Sequence, residues 1–212
     1  MAIELMKYLT ERFPALTLDA GLFYRWPVGI RFDLGGRPYP SSQVMSGVLD
    51  RATVLYEALF EADDKCVVIA QDGSGGDIPP PRYTNLFDTP ETGLTEPQGT
   101  LEVSAREESG DDYSYMMRWS EESARGFQYR TILLGLANAD HGQIPGVAIS
   151  SRVYFLHTER RLIMHMYDDR GLDVIGCEAK ELYALYREFN SWILDYDRSR
   201  IDQVFKPVQQ AS

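Results

Sequence analysis

The stretch HMYDDRGLDVIG, His165 to Gly176, holds the densest set of chemically capable side chains in the sequence. His165, Tyr167, Asp168, Asp169, Arg170 and Asp173 stand within nine positions, and Glu178 and Lys180 follow as a Glu-x-Lys. An aspartate separated by an apolar strand from a Glu-x-Lys suits metal-assisted hydrolysis. Two carboxylates hold Mg2+, and the lysine activates or positions the attacking water. Asp168, Asp169, Glu178 and Lys180 are the candidate catalytic set for a carboxylate-based, metal-dependent hydrolase or nuclease.

Metal-dependent nucleases of the restriction-enzyme type use this pattern, but two features oppose it here. Glu178 and Lys180 fall where the last helix begins, and a glutamate there is favoured by the helix dipole. A net charge of −11, from 32 acids against 21 bases, repels a phosphate backbone. Zinc fails on ligand count. His157 and His165 project from opposite faces of one sheet, and His141 sits in a Gly-Pro loop, whereas three or four ligands must converge at about 2.0–2.3 Å. No metal site and no cofactor are assigned. DGSGGD (Asp72–Asp77) lacks the Gly-Lys-Ser/Thr ending of a phosphate loop and the spacing of an EF-hand, so it reads as a strand-exit turn. PPPRY reads as a ligand for a polyproline-reading domain or, more commonly for such a run, as a loop stiffener, and no Gly-x-Ser-x-Gly elbow is present.

Strand patterns carry the cluster. Val153, Phe155 and His157 alternate with Tyr154 and Leu156, and Leu162, Met164 and Met166 alternate with Ile163, His165 and Tyr167. LDVIGC resumes as a third strand. Asp168 to Gly171 reads as a hairpin turn, with Gly171 as a left-handed residue forming a bulge. Pairing His157 with Leu162 collects Val153, Phe155, Leu162, Met164, Met166 and Val174 on one apolar face. The opposite face carries Arg152, Tyr154, His165, Tyr167, Asp173 and Ile175. Arg152, Tyr167 and Asp173 form one row there, and Tyr154, His165 and Ile175 the next. Arg152, Tyr154, His165, Tyr167 and Asp173 are the candidate partner-binding residues.

Around this meander the sequence predicts helices and further strands. Leu5, Met6, Leu9 and Phe13 mark a helix that Pro14 ends. Ile30, Phe32 and Leu34 mark a strand. Val44, Val48, Ala52, Leu55 and Leu59 stripe a long helix, and KCVVIAQ is a strand buried on both faces. Residues 72–100 lack periodicity and read as a long surface loop. TLEVSAREESGDDYSYMMRWS is a hairpin turning around Glu107–Asp112, and FQYRTILLGLANAD is a helix. Leu182, Leu185, Tyr186, Phe189, Trp192, Ile193 and Tyr196 keep helical spacing, so a long amphipathic helix closes the chain, and LDYDRSRID reads as its solvated face or as a partner-contacting rim. The expectation is one α+β domain over residues 1–212, an antiparallel meander packed against amphipathic helices.

Composition is that of an ordinary globular protein, 44% hydrophobic and 25% charged. No apolar run approaches the ~20 residues of a membrane span, and the N-terminus is not a secretory signal. Two cysteines, Cys66 and Cys177, read as lone buried thiols of a reducing, cytoplasmic compartment. The negative charge disfavours nucleic acid and anionic membrane and favours a basic protein partner. The sequence sets no oligomeric state.

IRFDLGG, DRATVLYEALF, HMYDDRGLDVI and LYREFNSWILDYDRSRIDQVF together resemble a family of uncharacterised bacterial domains, over about Ile30 to Phe205. The resemblance implies a soluble α+β protein and transfers no catalytic residue. A looser, fold-level similarity joins the meander and its closing helix to immunity proteins of the SMI1/KNR4-like type. The expectation is a non-enzymatic, acidic protein-binding module, an immunity protein neutralising a toxin being one form of it.

Overall fold

Alternating apolar residues produce strands, and among the described residues seven of these join one antiparallel sheet. Their spatial order is β1 (Gly29–Asp33), β9 (Gly171–Gly176), β8 (Leu162–Met166), β7 (Arg152–His157), β2 (Lys65–Gly73), β5 (Asp112–Ser123) and β4 (Gly99–Arg106). The computed structural model describes residues 4–18, 21–35, 42–73, 83–94, 96–106, 112–139 and 146–211. The three-stranded meander is thus the middle of a wider sheet, extended by β1 on one side and by β2, β5 and β4 on the other. His157 pairs with Leu162 as the alternation requires.

The sheet is covered on both faces. On one, α3 (Ser42–Leu59), α4 (Tyr129–Ala137), α5 (Ala179–Glu188) and α6 (Arg198–Ala211) supply Val48, Leu55, Leu133, Leu182, Ile201 and Phe205. These meet the apolar set Val153, Phe155, Leu162, Met164, Met166 and Val174. On the other, α1 (Leu5–Arg12) and α2 (Leu22–Arg25) bring Leu5, Leu9 and Leu22, with Phe13 and Leu18 between them, onto Val67, Ile69, Tyr154, Leu156, Ile163 and Ile175. A strand clamped between two such layers is apolar throughout, which is why KCVVIAQ shows no alternation. The fold is a single α+β domain.

Two stretches differ from their sequence patterns. The helical stripe beginning at Leu182 breaks at Phe189, and two 3-10 turns, Asn190–Trp192 and Asp195–Asp197, lead into α6. Arg198 holds this break, donating to Asn190 Oδ1 (3.1 Å), Asn190 O (2.9 Å) and Ile193 O (3.2 Å). Within 72–100, Asp72 and Gly73 end β2, while residues 83–94 hold the short strand β3 (Tyr83–Thr84) and two 3-10 turns. β3 pairs in parallel with β6 (Ala148–Ile149), and Leu86 and Thr92 are fully buried. Local order there comes from tertiary burial, which composition does not encode. Most of DGSGGD and of PPPRY, along with His141, lies outside the described residues.

Candidate functional site

The five partner-binding candidates do not form an exposed row. Tyr154, His165 and Asp173 are fully buried and Tyr167 is half-buried, leaving Arg152 as the exposed member. The N-terminal layer covers the face that their alternation left polar. The register also moves by two residues: Asp173 stands opposite His165, and Ile175 opposite Ile163. The cause is a turn of three residues, Asp168 to Arg170, so the Tyr167 N–H reaches Gly171 O at 3.3 Å. Gly171 is not in the left-handed region. A Cβ there would come within 1.9 Å of the Tyr167 hydroxyl oxygen and 3.1 Å of Phe32 O. The glycine makes room for a crossing phenol rather than for a bulge.

Asp173 is the centre of a buried clasp. Its carboxylate accepts Arg31 Nε (2.7 Å), Arg31 Nη2 (2.9 Å) and the Phe23 N–H (3.0 Å). Arg31 is its cross-strand neighbour on β1. The guanidinium stacks over Tyr24 (4.4 Å) and Tyr167 (5.2 Å), and Asp197 lies 4.0 Å away. Tyr24 donates to Asp197 at 3.0 Å, and Arg200 covers Phe23 at 4.4 Å. Burial disfavours the Arg31 charge, but the hydrogen bonds and charge of Asp173 more than offset it, so its pKa rises. His165 Nδ1 lies 2.8 Å from Val153 O and its ring stacks on Tyr154 at 4.4 Å. This is a device for fastening α2 and the start of α6 to the sheet.

The catalytic candidates are not brought together. Asp168 and Asp169 precede β9, and Glu178 and Lys180 follow it, so about 20 Å of strand lies between the two pairs. Asp168 Oδ1 accepts the Arg170 N–H (2.7 Å), and its Oδ2 accepts Arg170 Nε (2.7 Å). Glu178 is the N-cap of α5 and pairs with Arg161 (2.8 Å) and Lys180 (2.7 Å). Those cations hold its carboxyl below the usual range, Lys180 foremost. His157 and His165 lie on opposite faces, His157 stacking on Phe60 at 5.3 Å with Asp64 3.1 Å away. Among the described residues no group of three or more His, Cys, Asp and Glu side chains could hold a metal ion. Both cysteines are free; Cys66 is buried, but Cys177 is partly exposed.

A cleft of about 380 Å3 opens between β2, β4, β5 and the 83–94 segment. Asp72, Asp88, Glu102, Met116 and Arg118 line it. Arg118 Nε donates to Asp72 (2.6 Å), and its two terminal nitrogens fork onto Asp88 (2.9 and 3.0 Å). Arg118 thereby lowers the Asp88 pKa. Ser151 fixes the other Asp72 oxygen and accepts the Leu86 N–H (2.8 Å), tying the 3-10 turn to β2. With Arg118 shared by two carboxylates, the exposed Glu102 has no ion-pair partner among the described residues, and three lining carboxylates against one guanidinium leave the cleft acidic. Sequence reasoning missed this site because its carboxylates come from β2, β4 and the 83–94 segment; the one available signal was the length of the 72–100 stretch.

Burial gives the tyrosines a testable signature. Desolvation raises Tyr8 to about 12 and pushes Tyr56 and Tyr167 up as well. An unfolded tyrosine, near 10, therefore loses its proton first. What these groups contribute is intact below about pH 10 and is lost as pH rises through their folded values. In an alkaline titration followed at 295 nm, part of the signal from the thirteen tyrosines should appear only together with loss of circular dichroism. Complete titration near pH 10 with the fold intact would contradict the burial.

Among the described residues no helix is long and apolar enough to cross a membrane. No solved structure matches the chain significantly. It is 23% identical over 215 residues to an uncharacterized protein, YnaE, of Bacillus subtilis (strain 168), covering 92% of this chain and 99% of that one. A family model described as "Domain of unknown function (DUF3885)" matches residues 5–197, and with nearly the whole fold inside that match, the chain belongs to the DUF3885 family.

Proposed function

We propose that this chain is a non-enzymatic, acidic protein-binding module that docks on a more basic protein, acting in the cytoplasm. An immunity protein that neutralises a toxin is the specific form this takes. The observation that carries the reading is the acidic cleft around Glu102 on a chain of net charge −11. Charge of this kind speeds association and selects the partner. The test is affinity capture with the full chain from the native bacterium at low and high salt, beside Glu102→Lys. A stoichiometric basic protein should be retained at low salt, weakened by salt and lost with Glu102→Lys. Recovery of no stoichiometric partner, or of one indifferent to both changes, would overturn the reading.

A further inference from the structure

The two edges of the sheet are treated differently. β1 is sealed: Ile193 bridges Phe32, the Leu194 N–H donates to Arg31 O (3.0 Å), and Arg51 Nη1 donates to Asp33 O (2.9 Å). β4, at the other end, pairs only with β5 among the described residues. Thr100, Leu101, Glu102 and Ser104 are exposed along it and Val103 is half-buried. Exposed edges are usually blunted by lysine, proline or a bulge. β4 reads GTLEVSAR and pairs with β5 in continuous register from Gly99 to Arg106, with no lysine, proline or bulge; its charged residues are Glu102 and Arg106.

The two sides of β4 differ in chemistry. Glu102 pairs with Met116 and lines the cleft, near Asp88. Leu101 and Val103 pair with Met117 and Tyr115 on the opposite side.

We propose that β4 is the docking edge for the partner, which adds an extended segment of alternating basic and apolar residues as an eighth strand. The proposal rests on the basic-partner reading above and gives it a place and a mode. Backbone hydrogen bonds supply affinity, and side-chain alternation supplies specificity. Basic side chains fall over Glu102 and the cleft, and apolar ones lie beside Leu101 and Val103. A second copy of this chain suits the edge poorly, because like charges opposed across a strand pair repel.

The test uses the full chain and synthetic octapeptides of alternating Lys and Val, or Glu and Val, followed by amide NMR. The Lys-Val peptide should shift the Gly99–Ser104 amides, and Glu102→Lys should weaken it severalfold. N-methylation of one alternating set of peptide amides should weaken binding by about tenfold or more, and methylation of the other set should leave it unchanged, since an edge bonds one set only. If both methylated peptides bind like the parent, or if the Lys-Val peptide does not bind, the edge proposal falls and the basic-partner reading is judged by its own capture experiment. Equal binding of the Glu-Val peptide sinks the basic-partner reading itself. A dimer of the chain alone that Glu102→Lys strengthens would put a second copy on the edge and overturn the proposal.

Discussion

Asp173→Ala is expected to destabilise the fold by about 3–5 kcal/mol, the cost of removing one partner from a buried ion pair. The substitution strips the Arg31 guanidinium of two hydrogen bonds, at 2.7 and 2.9 Å, and leaves Asp197 at 4.0 Å as its nearest carboxylate. It also orphans the Phe23 N–H. For a chain of this length the midpoint of thermal unfolding should fall by roughly 10 °C. The loss is a penalty for an uncompensated charge, not the net worth of the pair, so Arg31→Met combined with Asp173→Leu should recover most of it. Denaturant unfolding of the three variants decides the matter. An Asp173→Ala protein within about 1 kcal/mol of wild type would mean that the charge finds solvent, and the clasp would lose its structural role.

Gly171→Ala is the second large effect, expected to cost about 2–3 kcal/mol by overpacking. The added methyl meets the Tyr167 hydroxyl at 1.9 Å, its ring carbon at 2.5 Å and Phe32 O at 3.1 Å. The first two obstacles belong to a side chain, so the cost should shrink in a Tyr167→Ala background and only partly in Tyr167→Phe. Coupling of that sign is what a double-mutant cycle between touching residues reports. Gly171→Asn adds a discriminating arm. Asparagine is tolerated in the left-handed region, so a glycine kept for that conformation would accept it better than alanine. Here it should be at least as damaging. An equal Gly171→Ala cost with and without the Tyr167 ring would refute the steric account.

The sequence made the elements legible and their partners less so. Period-two alternation located β7, β8 and β1, and the pairing of His157 with Leu162 follows from it. The apolar face was also legible, because all six of its residues enter the core. The other face misled: Tyr154, His165 and Asp173 look solvent-facing by type, but all three are buried, Tyr154 in the cluster that α1 and α2 join and Asp173 against the Phe23 N–H of α2. Their polarity is satisfied by contacts at great sequence distance, such as Arg31 to Asp173, which no local pattern announces. The register of β8 on β9 hinged on whether Gly171 belonged to the turn or to the strand. The break after Phe189 was hidden because Trp192 and Ile193 keep helical spacing while Ile193 in fact lies along the edge of β1. The cleft was the least legible feature, as Asp72, Asp88 and Arg118 meet only through tertiary packing.

The N-terminal layer has a consequence for how the chain matures. α1 is made long before the surface it covers: Leu5, Leu9 and Phe13 pack with Ile163 and Ile175, and the Tyr8 hydroxyl bonds Thr158 O across 150 residues (2.6 Å). At about 5–20 residues per second, the ribosome leaves that apolar face unpaired for many seconds before its strands exist. Contacts this distant in sequence also slow folding once synthesis ends. The helix that hides the polar face is thus synthesised well before the strands on which it docks, and its apolar side stays unpaired in that interval.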